Sequence, residues 1–192
     1  KWNFERDRTV AVSVDSQPIK MLRYTAKKYS VAVSFGYYEL CGEAIYSSYM
    51  FIGKNGEIVN NFRRVSKGWK EYDITDEHYK EGDGFKTFTY MGKRIALAVC
   101  GDLWYEENIE QINKEKFDFL LYPVYVTYNT EMWRTKLVNE YAEQAKKIPR
   151  PVFLVNSICD ADNTRGGCYA FLNGKTVCEV PMGQDGYLLV RV

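Results

Sequence analysis

Histidine is nearly missing from this chain: one residue, His78, in 192. A metal site built on several imidazoles is therefore excluded, and a Cys–His dyad would have to use His78 itself. The cysteines are Cys41, Cys100, Cys159, Cys168 and Cys178, an odd number with no C-x-x-C pair among them. A disulfide framework and a zinc ribbon are both disfavoured, and reduced thiols in a cytoplasmic protein are expected. No apolar run approaches the roughly 20 residues that span a bilayer. The first eight residues are too charged for a signal peptide. No excess of one charge exists either, with 26 Lys and Arg against 25 Asp and Glu. Nothing in that balance draws in nucleic acid or a membrane surface. A glycine-rich phosphate loop is also absent, and neither a metal nor an organic cofactor is expected.

What is present is an ordinary apolar content of 46%, rich in aromatics, with sixteen Tyr. The length fits one domain over residues 1–192 with a sizeable core. Pro18 suits a first helical turn, and Ile19, Leu22, Ala26 and Tyr29 predict a helix over 18–29. Val31 to Phe35 reads as a strand closed by Gly36. Ile45–Gly53 and Glu57–Arg64 predict a hairpin around Asn55-Gly56, a type I′ signature. Residues 66–84 read as a long polar surface loop. Phe85–Tyr90 and Arg94–Cys100 predict a second strand pair around Met91-Gly92. Asp102 is placed to cap a helix running to about Lys114. Phe117–Tyr122 reads as a strand stopped by Pro123, followed by a helix over 131–147 that Pro149 breaks. Val152–Val155, Gly167–Leu172, Lys175–Val180 and Gly186–Val192 read as strands, with a turn at Asn173-Gly174. Strands interleaved with helices predict an α/β layer architecture.

The stretch Ile95-Ala96-Leu97-Ala98-Val99-Cys100-Gly101-Asp102 carries the chemistry. A buried strand delivers a cysteine to its carboxyl end, Gly101 permits a sharp backbone, and a helix follows. Backbone N–H groups at such a turn favour a thiolate and can face a developing oxyanion. The same pattern, taken locally, also fits a small buried hydrophobe.

Residues 99–107, Val-Cys-Gly-Asp-Leu-Trp-Tyr-Glu-Glu, resemble the nucleophile motif of the nitrilase, or carbon–nitrogen hydrolase, superfamily. In that motif Cys is followed by Asp two residues on and Glu about seven on, matched here by Asp102 and Glu107. Gly36-Tyr37-Tyr38-Glu39 is similar to the family's Gly-x-x-Glu strand. Phe62-Arg63-Arg64-Val65 resembles its Tyr-Arg-Lys-Val segment. Leu121-Tyr122-Pro123, Trp133 with Glu143, Val155-Asn156 and the hairpin from Gly167 to Gly174 continue the match in order.

The resemblance implies a four-layer α-β-β-α sandwich, commonly a homodimer or higher homo-oligomer. It implies hydrolysis of a small amide or nitrile through a thioester on Cys100, with the Gly101 N–H as oxyanion donor and Asp102 supporting the elbow. Two departures stand out. The family's base Glu lies on a strand before the stretch that matches Gly36, so the domain is expected to lack its first β-α-β portion. Glu5 and Glu39 do not occupy the base position. Arg64 stands where the family has its catalytic Lys, with Lys67 as the alternative if Ser66-Lys67-Gly68 bends. Glu77, beside Asp76 and Glu81, falls where the family often has a second Glu.

Other patterns carry less. Asp160 to Gly166 hints at a calcium loop but has Arg165 at its sixth position and Phe171 at its twelfth. Two rival readings remain, a catalytically silent binding module and an acyltransferase sharing the thioester.

Overall fold

The computed structural model describes residues 2–71, 73–160 and 163–192. The chain divides into two compact units, Lys1–Gly84 and Phe85–Val192.

In the first unit, two helices, α1 (Phe4–Asp7) and α2 (Gln17–Tyr29), precede strands β1 (Val33–Cys41), β2 (Ala44–Ile52), β3 (Ile58–Arg63) and β4 (Tyr79–Lys80). Strands β1, β2 and β3 form an antiparallel meander, and β4 joins β2 in parallel. Helix α2 begins with Pro18 in its first turn and ends at Ser30 in the left-handed region. Its Ile19 and Ala26 face Met50 and Ile52 of β2, with Val33, Phe35 and Tyr37 of β1 packed alongside. Gly36 does not close β1. It pairs with Tyr49 in mid-strand, and the run goes on to Cys41.

The Asn55-Gly56 turn departs from type I′. Only Gly56 has a positive φ, 81°, whereas type I′ needs two such residues. The chain closes through Gly53, whose carbonyl accepts from the Gly56 N–H at 2.8 Å. Gly56 lies against α2, where an added Cβ would fall 2.6 Å from the Arg23 carbonyl oxygen.

Residues 66–84 are mostly exposed or half-buried where described, as read, but the segment is anchored by buried side chains. Trp69 and Tyr79 are buried with Ala11 and Ile45, and Trp2, Phe4 and Leu40 pack against them. The Tyr79 hydroxyl donates to Asp7 at 2.7 Å. Lys70 reaches the Tyr79 carbonyl and pairs with Glu81 at 3.2 Å. Polar composition hides these apolar anchors, which sit far apart along the segment.

The second unit carries a six-stranded sheet in the order β12-β11-β8-β7-β6-β5. Its strands are β5 (Phe88–Tyr90), β6 (Lys93–Leu97), β7 (Phe119–Val124), β8 (Val152–Asn156), β11 (Cys168–Leu172) and β12 (Lys175–Val180). The short pair β9 (Ile158–Cys159) and β10 (Thr164–Arg165) lies outside it. Strands β6, β7 and β8 run parallel at the centre, and antiparallel hairpins flank them. Both flanking turns have two left-handed residues, Met91 and Gly92 in one and Asn173 and Gly174 in the other. That is the type I′ pattern expected of two-residue hairpins. Ala161 and Asp162 of the discounted calcium pattern lie outside the described residues.

Pro123 does not stop β7. It pairs with Val155 on the β8 side. On the other side the β6 pairing ends at Leu121, so the missing N–H breaks no central ladder. Helix α3 (Glu106–Lys114) buries Ile109 and Ile112. After it come α4 (Thr130–Met132), a π turn at Trp133–Leu137 and α5 (Val138–Ala145), which buries Tyr141, Ala142 and Ala145. These residues join Leu120, Tyr122, Leu154 and Phe171 in one core. Residues 186–192 form no strand, and Tyr187 and Leu189 are exposed. The apolar run Tyr187 to Val190 is paired with no strand among the described residues.

Among the described residues no helix is long and apolar enough to cross a membrane.

Candidate active site

Cys100 stands three residues past the end of β6, at the start of a 3-10 turn, Cys100–Trp104. Its φ is 48°, a left-handed value for a residue other than glycine. Such a conformation costs about 1–2 kcal/mol, so the surroundings must hold it. Three contacts do so. The Asp102 carboxylate accepts from the Val99 N–H at 2.8 Å. The Asp102 N–H donates to the Val99 carbonyl at 3.0 Å. The Tyr122 hydroxyl donates to the Cys100 carbonyl at 2.6 Å.

Asp102 therefore acts differently from the helix cap read in the sequence. It is fully buried inside the 3-10 turn, and helix α3 starts only at Glu106. The Asp102 carboxylate binds back to the strand end, because a tight turn brings residue 102 over the residue 99 amide. Asn108 extends the arrangement by donating to the Asp102 carbonyl at 3.1 Å.

Tyr122 was not singled out by its spacing, since it reaches Cys100 from 22 residues away. Burial pushes its hydroxyl well above the ordinary tyrosine range, and the nearby charges of Tyr141, Cys100 and Asp102 act in the same direction. A hydrogen bond with the Trp104 side chain opposes them. The hydroxyl is thus a neutral donor across the working pH range. Trp104 itself is 42% exposed and meets Tyr141 edge to face, with ring centroids 5.2 Å apart.

The carboxyl ends of the next two strands are also tied down. Asn156, buried at the end of β8, accepts from the Val126 N–H at 3.0 Å and donates to the Val126 and Gly166 carbonyls. Trp133 donates to the Tyr169 hydroxyl at 2.8 Å, and the Met182 N–H donates to the same oxygen at 2.8 Å. Parallel strands put their carboxyl ends on one edge of a sheet, where α/β proteins gather functional loops.

The remaining sequence candidates lie in the first unit. Arg64 follows β3 and is buried, with its Nε donating to Ser66 Oγ at 2.8 Å. The backbone does bend at Ser66 and Lys67, and Gly68 has a φ of 88°. Even so, the Lys67 side chain is exposed. Glu77 is exposed as well. His78 stacks on Phe4 at 3.8 Å and contacts Asp76 through Nδ1 at 2.8 Å. Glu5 pairs with Arg8 at 3.6 Å on the surface.

Adjacent Arg63 and Arg64 have separate fates. Arg63 grips the buried Glu39 through Nε at 2.9 Å and Nη2 at 2.6 Å. Ser48 adds a third donor at 2.7 Å. Burial alone would raise the Glu39 carboxyl. The Arg63 and Ser48 hydrogen bonds outweigh it and hold the group below its ordinary value. Glu39 is thereby a structural carboxylate locked to Arg63. Among the described residues, no three His, Cys, Asp or Glu side chains are arranged to hold a metal ion.

Comparison with known proteins identifies the family. The family described as Carbon-nitrogen hydrolase matches residues 2–192. A citrullinase of Francisella tularensis is 26% identical over 120 residues, covering 59% of this chain and 41% of the relative. A bromoxynil-specific nitrilase of Klebsiella pneumoniae subsp. ozaenae is 30% identical over 107 residues, covering 56% and 29%. The chain thus spans less than half the length of these curated relatives. A solved Nesterenkonia amidase, carrying the acetamide moiety of fluoroacetamide on its active-site cysteine, shares the fold. Its TM-score is 0.68 at 15% identity, covering 85% of this chain and 62% of the amidase. With a family match across residues 2–192 and a cysteine elbow at the end of a parallel strand, this chain belongs to the carbon–nitrogen hydrolase family.

Proposed function

We propose that the protein hydrolyses a small non-peptide amide, or the related nitrile, with Cys100 as nucleophile. The observation that carries this reading is the left-handed Cys100 at a strand end, clamped by Asp102 and Tyr122. A strained, over-determined residue of this kind is characteristic of functional sites. The named relatives are a citrullinase and a bromoxynil-specific nitrilase, and a mutant of the neighbouring amidase carries a covalent adduct on its active-site cysteine.

The reaction has two halves. The Cys100 thiolate forms an S–C bond to the carbonyl carbon, and the C=O π pair moves onto oxygen. The Gly101 N–H and a cation stabilise that oxyanion. When the pair returns, the C–N bond breaks and ammonia or an amine leaves with a proton from an acid. Water then adds to the thioester and the S–C bond breaks. A carboxylic acid and the free thiol result. A nitrile first gives a thioimidate as its nitrogen takes the π pair and a proton; one water adds and ammonia leaves to give the same thioester, which a second water hydrolyses.

Arg64 is our choice for the cation. It stands at the family's Lys position and is the buried one of the two candidates, whereas Lys67 is exposed. Its guanidinium keeps a charge at any working pH and donates without supplying a proton. Glu77 is assigned as the second carboxylate on sequence position alone. The reading also takes the protein to be a cytoplasmic homodimer with a single domain.

The test is ammonia release from a panel of small aliphatic amides and nitriles, comparing the unaltered chain with Cys100→Ala. Loss of at least about a thousandfold in kcat is expected. Turnover that survives the substitution removes Cys100 from the chemistry. An amide that binds without releasing ammonia or acylating Cys100 would make the protein a silent binder. Hydroxamate formation on adding hydroxylamine would expose acyl transfer.

A further inference from the structure

The role of Tyr122 goes beyond filling the core. It lies on β7, the strand hydrogen-bonded to the one that delivers Cys100, and its side chain is fully buried. Its hydroxyl sits 2.6 Å from the Cys100 carbonyl oxygen. That carbonyl belongs to the peptide plane whose other end is the Gly101 N–H. A trans peptide is rigid and planar, so its C=O and N–H point in opposite directions. The chain contains no cis peptide among the described residues. Fixing the carbonyl toward the buried Tyr122 therefore fixes the Gly101 N–H to point away from it.

We propose that Tyr122 is a positioning residue that aims the Gly101 N–H as oxyanion donor by holding the Cys100 carbonyl. This inference rests on the hydrolase reading of Cys100. The need for such a tie is local. Cys100 has a left-handed φ of 48°, and the next residue is glycine, which offers little steric resistance to rotation of the shared peptide. Asp102 secures the peptide before Cys100 through its N–H, which donates to the Val99 carbonyl, and its carboxylate holds the Val99 N–H one peptide earlier. Tyr122 secures the peptide after it. The two residues divide the elbow between them, one on each side of the nucleophile. Because the hydroxyl is buried and keeps its proton, the tie is a constant donor that neither pH nor solvent competes away. Trp104 hydrogen-bonds the same hydroxyl.

The chain offers a direct probe of this one peptide. Only two Cys-Gly pairs occur, Cys41-Gly42 and Cys100-Gly101. Protein carrying carbonyl-13C cysteine and 15N glycine gives one HNCO cross-peak for each. Tyr122→Phe removes a single oxygen. It is expected to move or double the Cys100-Gly101 peak while the Cys41-Gly42 peak stays as an internal reference. Removal of a fully engaged oxyanion donor costs about 100- to 1,000-fold in kcat. A donor left in place but no longer aimed should cost about tenfold to a hundredfold, with KM within about threefold. Trp104→Phe, at a half-exposed position, should shift the same peak less and in the same direction.

An unmoved Cys100-Gly101 peak in Tyr122→Phe overturns the proposal whatever the activity. A moved peak with unchanged kcat overturns the positioning role. A moved peak in a chain that turns over no amide or nitrile leaves the Tyr122 tie standing and removes the hydrolase reading instead.

Discussion

A buried polar lock in the first unit and the buried ties around the parallel strands of the second are built differently. In the first unit the polar lock joins side chain to side chain across three antiparallel strands: Glu39 on β1, Ser48 on β2 and Arg63 on β3. In the second, side chains reach out to the backbone of loops. Tyr122 holds the Cys100 carbonyl, Asn156 holds both backbone groups of Val126, and Tyr169 receives the Met182 N–H. A lock between side chains stiffens a sheet. A tie from side chain to loop backbone decides where the loop goes. In the second unit such ties hold the loop backbone that follows the parallel strands, including that of Cys100, the nucleophile we propose.

Three substitutions sharpen this contrast. The largest effect is expected from Arg63→Met, which strands a buried carboxylate. The cost should be about 3 kcal/mol, the low end for a buried pair because the Arg63 side chain is 29% exposed. Its pH dependence has a definite sign. Glu39 is held below its ordinary value of 4.5 in the folded state. Its contribution is therefore present above that value and lost as pH falls through the lower folded value. Urea titrations across this acid range should show falling stability in the unaltered protein. Arg63→Met should flatten that slope, and an unchanged slope would dissolve the contrast by showing that the pair is not the acid-sensitive element.

Tyr169→Phe comes next, at about 2–3 kcal/mol, since it leaves both the Trp133 indole N–H and the Met182 N–H without their acceptor. This loss should be nearly independent of pH between 4 and 8, roughly, because the tyrosine stays protonated there. A stability profile as steep as that of the Glu39–Arg63 lock would erase the distinction between units. The smallest effect belongs to Gly92→Ala. An added Cβ there has nothing within 4 Å, and φ is 77°. Only backbone strain is charged, about 1 kcal/mol by thermal melting. A cost of several kcal/mol would mean the turn is packed against something.

Local order was legible where one short pattern suffices. Met91-Gly92 and Asn173-Gly174 sit at hairpin turns as read, and the strand delivering Cys100 follows from an apolar run before a glycine. Asn55-Gly56 misled because the dipeptide alone does not set the loop length, which extends back to Gly53. Gly36 and Pro123 were read as stops because each disfavours a strand in isolation. Gly36 runs on in mid-strand beside Tyr49, and a β8 partner with no β6 partner accommodates Pro123. Trp69 and Tyr79 were lost in the polarity of their surroundings. The division of labour between Arg63 and Arg64 is also invisible locally, since it depends on Glu39, 24 residues from Arg63. The Tyr122 tie to Cys100 has no sequence signature at all. It joins a side chain to a backbone oxygen across two parallel strands.

The order of strands in the six-stranded sheet bears on how the protein folds. Its outer hairpins close through two-residue turns and can form within microseconds. The central β6–β7–β8 pairing must wait for intervening helices to bring distant segments together, and such non-local pairing is slow. The Cys100 elbow depends on Tyr122 from β7. A chain with only its hairpins made therefore lacks the Tyr122 tie, so the elbow to which we assign the chemistry is organised only when the slowest pairing is complete.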